Sequence, residues 1–125
     1  MAIIRITAGD VSMTAELNDS PTSQKIWAAL PITGRANIWG DEIYFSIPVK
    51  AEEEQGARAD VEVGDLGYWP PGSAFCIFFG PTPASRGSQP RAASSVNLLG
   101  RIIGDAAKFK AVPGGSPVQL EAVEA

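Results

Sequence analysis

Apolar and polar residues alternate along much of this chain, which is the pattern of half-buried β-strands. Ile4 and Ile6 alternate with polar neighbours, and a second alternating segment covers residues 11–17. A turn-forming segment at residues 8–10 separates the two. The pattern therefore predicts an N-terminal β-hairpin.

The apolar spacing becomes helical in the segment that follows. Ser20 is a favourable N-cap, Pro21 suits the first helical position, and Pro31 marks an end. Between the two prolines, apolar residues recur four positions apart. One helix over residues 20–30 is therefore predicted.

The alternation of strands returns after this helix. Ile43, Phe45 and Ile47 are predicted to face the core. Further along the chain, Val61 and Val63 are also predicted to face inward. The opposite face of the first of these strands carries Glu42, Tyr44 and Ser46.

The run Phe-Cys-Ile-Phe-Phe at residues 75–79 is apolar at every position, so both faces of this strand must be covered. It lies between two rigid flanks, Tyr-Trp-Pro-Pro-Gly before it and Gly-Pro-Thr-Pro after it. A central strand of a closed barrel, covered outside by a helix or a long loop, meets that requirement. Residues 80–94 form the longest irregular segment, and such a length favours a functional loop.

The remaining segments complete a β-rich pattern. A strand runs through Gly100, which is typical of a bulge or a barrel corner. Asp105 caps a short helix that ends near Lys110, and residues 117–124 form a last strand. Because about eight strands come in runs rather than alternating with helices, we predict a closed, eight-stranded, mostly antiparallel β-barrel with one or two short helices.

Composition limits the partners of the protein. The 125 residues predict a single domain over residues 1–125. A net charge of −4 disfavours nucleic acid, whose binders need a basic face. The first ten residues lack a signal-peptide pattern, and no apolar segment reaches the roughly 20 residues of a membrane span. One cysteine, Cys76, excludes an internal disulfide and favours a reducing cytoplasm. We also expect a monomer or weak homodimer without nucleic-acid or membrane partners.

Few catalytic chemistries fit the residues present. The chain has no histidine, hence no imidazole base and no zinc ligand set. Cys76 lies within the apolar run and is predicted to be a core residue. Asp41, Glu42 and Asp65 lie at turns and are predicted to hydrogen-bond their own backbone. Three consecutive glutamates at residues 52–54 cannot converge on one ion. No catalytic residue, cofactor or metal site is predicted.

Four segments, GDEIYFSIPV, GDLGYWPPG, FFGPTP and NLLGRI, resemble the small prokaryotic cyclophilin-like domain family. The resemblance extends from Ile3 to about Val123. It implies a fold of cyclophilin-like type, an eight-stranded barrel with helices over its open ends. These domains are atypical relatives of the peptidyl-prolyl isomerases and mostly of unknown function.

The resemblance does not extend to the isomerase site. Active cyclophilins carry a Phe-His-Arg strand, a Gln-Gly-Gly-Asp-Phe segment, and a Trp and a His in the proline pocket. This chain has no histidine, no Phe-x-Arg and no Gln-Gly-Gly, so no catalytic position carries over. The favoured function is binding of a small molecule or short peptide; the alternative is a peptidyl-prolyl isomerase or another enzyme with a non-standard active site.

A pocket of aromatic walls with a few polar groups is typical of small-molecule sites. We predict that the loop at residues 81–94 folds back to form a groove with Tyr44 and Trp69. Two alternatives stay open: Trp69 and Phe79 plug the barrel end, and Asn97 and Arg101, on one strand face, point to solvent. The predicted ligand-binding residues are Tyr44, Tyr68, Trp69, Phe79, Thr82, Ser85, Asn97 and Arg101.

We expect no appreciable peptidyl-prolyl isomerase activity, because no residue matches the arginine that polarises the proline nitrogen in active cyclophilins. A protease-coupled assay on a series of Xaa-Pro peptides measures this activity. Catalysis well above the uncatalysed rate that is lost in Arg35→Ala or Arg101→Ala would contradict the prediction.

Overall fold

The computed structural model describes residues 2–125. Over this range the chain forms ten β-strands, one α-helix and two short 3₁₀ helices. The strands are β1 (Ala2–Ala8), β2 (Val11–Leu17), β3 (Ile32–Arg35), β4 (Asn37–Ile38), β5 (Glu42–Ser46), β6 (Arg58–Asp60), β7 (Asp65–Trp69), β8 (Ala74–Phe78), β9 (Arg91–Ile103) and β10 (Pro117–Glu124). The α-helix, α1, is Pro21–Ala29, and the 3₁₀ helices are Pro70–Gly72 and Ala106–Ala111.

The N-terminal hairpin and the helix lie where the pattern predicts them. β1 and β2 pair with Ala8 opposite Val11, and Gly9 in the connecting turn has a φ of 57°, a left-handed conformation that glycine adopts readily. The hydroxyl of Ser20 caps α1 by accepting a hydrogen bond from the backbone N–H of Ser23 at 3.2 Å. Local sequence signals are therefore enough to specify both elements.

The strands form one sheet in which every pair is antiparallel, and this confirms the predicted mainly antiparallel β-fold with short helices. The hydrogen-bonded order is β3-β10-β1-β2-β9-β7-β8-β5-β4, with β6 added to β9. Within residues 2–125 no ladder joins β4 back to β3, so the predicted closure by hydrogen bonds is not observed. The two edge strands are instead consecutive in the chain and are joined through Ala36.

The pattern predicts about eight strands, and the structure adds two short ones. β3 shows no alternation of apolar and polar residues and is not visible in the sequence, whereas β6 lies just before the segment in which Val61 and Val63 were predicted to face inward. Val63, predicted to face inward, is 39% exposed. The reason is that β6 ends before it and the chain turns at Gly64, whose φ is 96°.

One face of the sheet surrounds the main core, and α1 contributes Ile26 to it. The rings of Phe45 and Phe75 meet inside this core with centroids 5.6 Å apart. Large side chains that are fully buried here include Ile4, Ile6, Ile43, Phe45, Leu66, Phe75, Ile77 and Leu99. The predicted inward face of β5 is thereby confirmed.

Every residue of β8 is buried, as the apolar run predicts. Phe75 and Ile77 point into the main core, whereas Ala74, Cys76 and Phe78 belong to a second cluster on the opposite face of the sheet. β8 lies between β5 and β7 and is therefore a central strand. The remaining buried members of the second cluster are Val61, Ala92 and Val96.

The cover over the outer face of β8 comes from the first half of β9. This strand is thirteen residues long and pairs in turn with β6, β7 and β2. Val96 lies so close to Gly67 that a Cβ at Gly67 would come within 2.8 Å of Val96 Cγ2. Because β9 already begins at Arg91, the irregular segment is shorter than predicted.

β9 bends at the predicted glycine. Its register on β7 slips by one residue, which leaves Leu99 as the extra residue of a bulge. Gly100 has a φ of 150°, and a Cβ there would lie 1.8 Å from the carbonyl oxygen of Glu16. Any larger residue would therefore separate β9 from β2.

No helix within residues 2–125 is both long and apolar enough to cross a membrane.

Truncation of either inward residue of β8 is expected to destabilise the fold. Phe75→Ala and Ile77→Ala should each lower the free energy of unfolding by about 2–5 kcal/mol, because both side chains are fully buried. Urea melts measure the change. Ile103→Ala is the matched control, since Ile103 also lies in a strand but is 51% exposed, and it should cost under about 0.5 kcal/mol. Equal effects of Ile77→Ala and Ile103→Ala would contradict the assignment.

Candidate functional site

A pocket of about 230 Å³ opens on the outer face of the sheet, beside the second cluster. Its floor comes from β5, β7 and β8, and one wall comes from the first half of β9. Three of its side chains are large aromatic groups and one is a carboxylic acid. The residues that line it are Trp39, Glu42, Tyr44, Trp69, Cys76, Ala92, Ala93 and Val96.

The alternation of β5 directs two side chains into this pocket. Ile43 and Phe45 face the main core, so Glu42 and Tyr44 face outward, and Tyr44 lies directly opposite Cys76 on β8. The backbones of Trp39 and Glu42 exchange two hydrogen bonds, of 2.9 and 3.2 Å, across the turn between β4 and β5. This tight turn fixes the backbone at Trp39, and its side chain lines the pocket together with Glu42.

Trp69, at the end of β7, is fixed on both sides. Its indole Nε1 donates a hydrogen bond to the hydroxyl of Ser94 at 2.7 Å, which connects β7 to β9 across the pocket. The ring lies over Gly72, where a Cβ would come within 2.9 Å of the ring carbons. Because Pro70 and Pro71 begin the 3₁₀ helix that follows, the backbone next to the ring is also rigid.

Glu42 is the exceptional polar residue of the pocket. It is only 5% exposed, and its buried Oε1 atom has no hydrogen-bond partner among residues 2–125. Burial raises the pKa of Glu42 to about 7, an effect that the adjacent Cys76 thiol opposes by hydrogen bonding. Glu42 thus differs from the prediction that it would hydrogen-bond its own backbone, whereas Asp65 follows it by accepting from the backbone N–H of Glu62 at 2.8 Å.

Cys76 is buried, as predicted, but it also borders the pocket. Burial, followed by the charge of Glu42, raises the pKa of its thiol well above the usual value. The thiolate is the reactive form of cysteine, so this side chain is a weak nucleophile. The described residues include no group of three His, Cys, Asp or Glu side chains arranged to hold a metal ion.

A larger cleft, of about 580 Å³, lies between β6 and the loop before β9. It is lined by Arg58, Arg86 and Arg91 and by acidic residues. Arg91 pairs with the exposed Asp60 at 3.4 Å, so part of this charge is already neutralised in a solvated setting. The smaller pocket is the stronger candidate because it contains a buried polar atom without a partner.

Two of the eight predicted ligand-binding residues, Tyr44 and Trp69, line the pocket together. Tyr68 instead points into the main core, where its hydroxyl donates to the Val49 carbonyl at 2.7 Å. Phe79 also lies in the core and packs against Phe109, with ring centroids 6.2 Å apart. Both side chains therefore lie in the main core, on the opposite face of the sheet from the pocket.

The loop residues Thr82 and Ser85 do not line the pocket, and the predicted groove between the loop and the aromatic residues is not formed. The Thr82 hydroxyl donates to the carbonyl of Arg91, and the Ser85 hydroxyl donates to that of Gln89 at 2.7 Å. The Thr82 hydroxyl thus holds the loop against the start of β9, whereas the Ser85 hydroxyl makes a contact within the loop.

Asn97 and Arg101 lie outside the pocket and do not act together. Asn97 is fully buried, and its amide group bonds to Thr22 and to the backbone of Glu52 and Glu54. Arg101 is exposed and pairs with Asp65 at 2.6 Å. The bulge between the two positions breaks the alternation on which their predicted common face depends.

Six lining residues were not identified from the sequence: Trp39, Glu42, Cys76, Ala92, Ala93 and Val96. The sequence does contain a signal for Glu42, because this residue alternates with core residues on β5, which lies beside the all-apolar run. The segment that covers the outer face of that run also covers part of β5, including Glu42. The alanines and the valine carry no such signal.

The solution structure of the hypothetical protein AF2241 from Archaeoglobus fulgidus is similar to this chain, with 42% sequence identity and a TM-score of 0.84. The match covers 98% of this chain and 95% of that one. The structure of McbB in complex with tryptophan matches with a TM-score of 0.71 but only 14% identity, which shows the fold alone. That match covers 94% of this chain and 44% of McbB.

No curated protein matches the chain. A family model described as cyclophilin-like matches residues 2–121, nearly the whole length. With this match and the archaeal relative, the expected resemblance is confirmed, and the chain belongs to the cyclophilin-like family.

Proposed function

We propose that this protein binds a small molecule, or one side chain of a short peptide, in the pocket around Glu42. The observation that carries the proposal is the buried Oε1 atom of Glu42, which finds no hydrogen-bond partner in the part of the chain that the structure describes. Leaving such an atom unpartnered costs about 1–3 kcal/mol or more for a charged group. A ligand that donates a hydrogen bond to Oε1 removes this cost.

The shape of the pocket supports a small ligand. Its volume of about 230 Å³ lies below the roughly 300–1,000 Å³ of sites that take drug-sized molecules. Trp39, Tyr44 and Trp69 supply broad apolar surfaces, and one carboxyl group supplies the polar contact. A flat or compact apolar molecule with a single polar group matches this distribution.

The pocket is also preorganised, which favours affinity. The Trp69 side chain is fixed through Ser94 and Gly72, and the backbone of Trp39 is held by the turn before β5. Binding therefore orders few side chains, and each rotamer-rich side chain left free would cost about 0.5–1.5 kcal/mol.

Arg101, considered above for isomerase activity, lies in ion pairs outside the pocket. McbB is described in complex with tryptophan, so a protein of related fold binds an aromatic ligand.

A fragment screen tests the proposal. Ligands should shift the amide resonances of residues 39–44, 69 and 92–96 together and change the tryptophan fluorescence, because two of the three tryptophans line the pocket. Ala93→Leu places a larger side chain at the wall and should weaken binding at least about tenfold. Ala107→Leu, at an exposed alanine elsewhere, is the matched control and should bind normally. Hits that bind equally well to Ala93→Leu, or no hits at all, would contradict the proposal.

The free protein should be stabilised by neutralising the site. Folding raises the pKa of Glu42 from 4.5 to about 7, because the buried site favours the protonated carboxyl group. The stability of the fold is therefore highest below about pH 4.5, and this advantage is lost as the pH rises through 7. Because glutamine stays neutral, the free energy of unfolding of Glu42→Gln should rise relative to that of wild type by up to about 3 kcal/mol as the pH increases from about 4.5 to 8.

Urea melts of both proteins across this pH range measure the difference. Glu53→Gln, at an exposed glutamate, is the control and should show no such trend. A pH-independent difference between Glu42→Gln and wild type would show that the carboxyl group is not protonated by burial.

A further inference from the structure

We propose that the pocket selects organic cations, and that a protonated amine of the ligand binds between the Glu42 carboxylate and the aromatic rings. This inference rests on the proposed function and names its ligand class. It starts from the chemical inventory of the pocket, which contains one acidic group, three electron-rich rings and no basic residue.

Among residues 2–125, Glu42 forms no ion pair. The eight lining residues include neither lysine nor arginine. Of the cations in the surrounding surface, Lys110 lies 3.9 Å from Asp41, and Arg91 pairs with Asp60. A buried carboxylate is tolerated when it is paired and hydrogen-bonded. When Glu42 is ionised, a ligand with an ammonium group provides both the missing charge and the missing donor for Oε1.

The aromatic residues favour the same ligand. A cation over the face of a tryptophan or tyrosine ring gains about 0.5–2 kcal/mol, more when the contact is desolvated. The Nε1 donor of Trp69 is already occupied by Ser94, so this residue offers the ligand its ring surface. Trp39 and Tyr44 add two further rings on either side of Glu42 in the chain.

The same inventory disfavours anions. An anionic ligand would face Glu42 directly, and the donors that the lining side chains offer it are neutral: the Trp39 indole N–H, the Tyr44 hydroxyl and the weak Cys76 thiol. The net charge of −4 on the protein also attracts cations over a longer range. The repulsion of anions by Glu42 and the net negative charge of the protein thus both favour a cationic ligand, as does the pairing of Glu42 with an ammonium group.

Binding of an amine should be coupled to release of a proton. The ionisable groups that face Glu42 are the Cys76 thiol from β8 and the Tyr44 hydroxyl from its own strand; β7 and β9 present only Trp69, alanines and a valine. Asp41, the adjacent residue, is directed toward Lys110. Because the pKa of Glu42 is about 7, the carboxyl group must lose its proton to pair with an ammonium group at lower pH. Affinity should then fall about tenfold for each pH unit below 7.

Three probes of similar size test the inference: benzylamine, benzyl alcohol and benzoate. Their dissociation constants are measured by tryptophan fluorescence at about pH 5.5, 6.5 and 8 for wild type, Glu42→Gln and the control Glu53→Gln. In wild type and the control, benzylamine should bind at least about tenfold more tightly than benzyl alcohol at pH 8, and benzoate should be weakest. Glu42→Gln should remove the preference and the pH dependence but retain benzyl alcohol.

The outcomes separate this inference from the proposed function. Benzyl alcohol binding as tightly as benzylamine, or benzoate binding most tightly, would overturn the cation preference and leave a ligand pocket. A pH-independent affinity for benzylamine would also overturn it. If none of the three probes binds the pocket at up to about 10 mM, both proposals fail. Should Glu42→Gln not fold, the wild-type pH series of benzylamine against benzyl alcohol decides the question alone.

Discussion

The complete burial of β8 on both faces is the constraint from which the rest of this structure follows. On one face, the side chains of Phe75 and Ile77 pack into the main core inside the curved sheet. The other face needs a cover on the outside, because Cys76 and Phe78 cannot remain in water without losing about 25 cal/mol for each Å² of apolar surface. The first half of β9, extended beyond its pairing with β7, supplies this cover.

The pocket exists because that cover is incomplete. Small residues, Ala92 and Ala93, stand where a larger side chain would fill the space above Glu42. The chain thus retains a buried carboxyl group and an unfilled volume next to a well-packed cluster. Both features lower stability, and natural proteins retain such features mostly at functional sites. Stability and binding are therefore in opposition at Glu42, which makes this residue informative in experiments on either property.

Much of the fold was predictable from the sequence, whereas most of the site was not. The hairpin, α1, the buried run and the bulge at Gly100 depend on local periodicity, capping and backbone sterics, and all were confirmed. β3 is held mainly by pairing with β10, over eighty residues away, and has no periodicity of its own. Tyr44 and Trp69 stand out as aromatic residues on an outer face or at a strand end. Glu42 resembles any polar strand residue until the tertiary cover removes it from water.

The way in which the sheet ends has a consequence for association between molecules. A free strand edge is a template on which another chain can add a strand, and long flat edges promote aggregation. Here the terminal strands are β3, with four residues, and β4, with two, and the added strand β6, which within residues 2–125 pairs only with β9, has three. β3 and β4 belong to one short stretch of chain interrupted at Ala36, and none of the three strands offers more than a brief row of unpaired amide and carbonyl groups. A ten-stranded sheet that is not closed by hydrogen bonds is in this way protected against growth by strand addition.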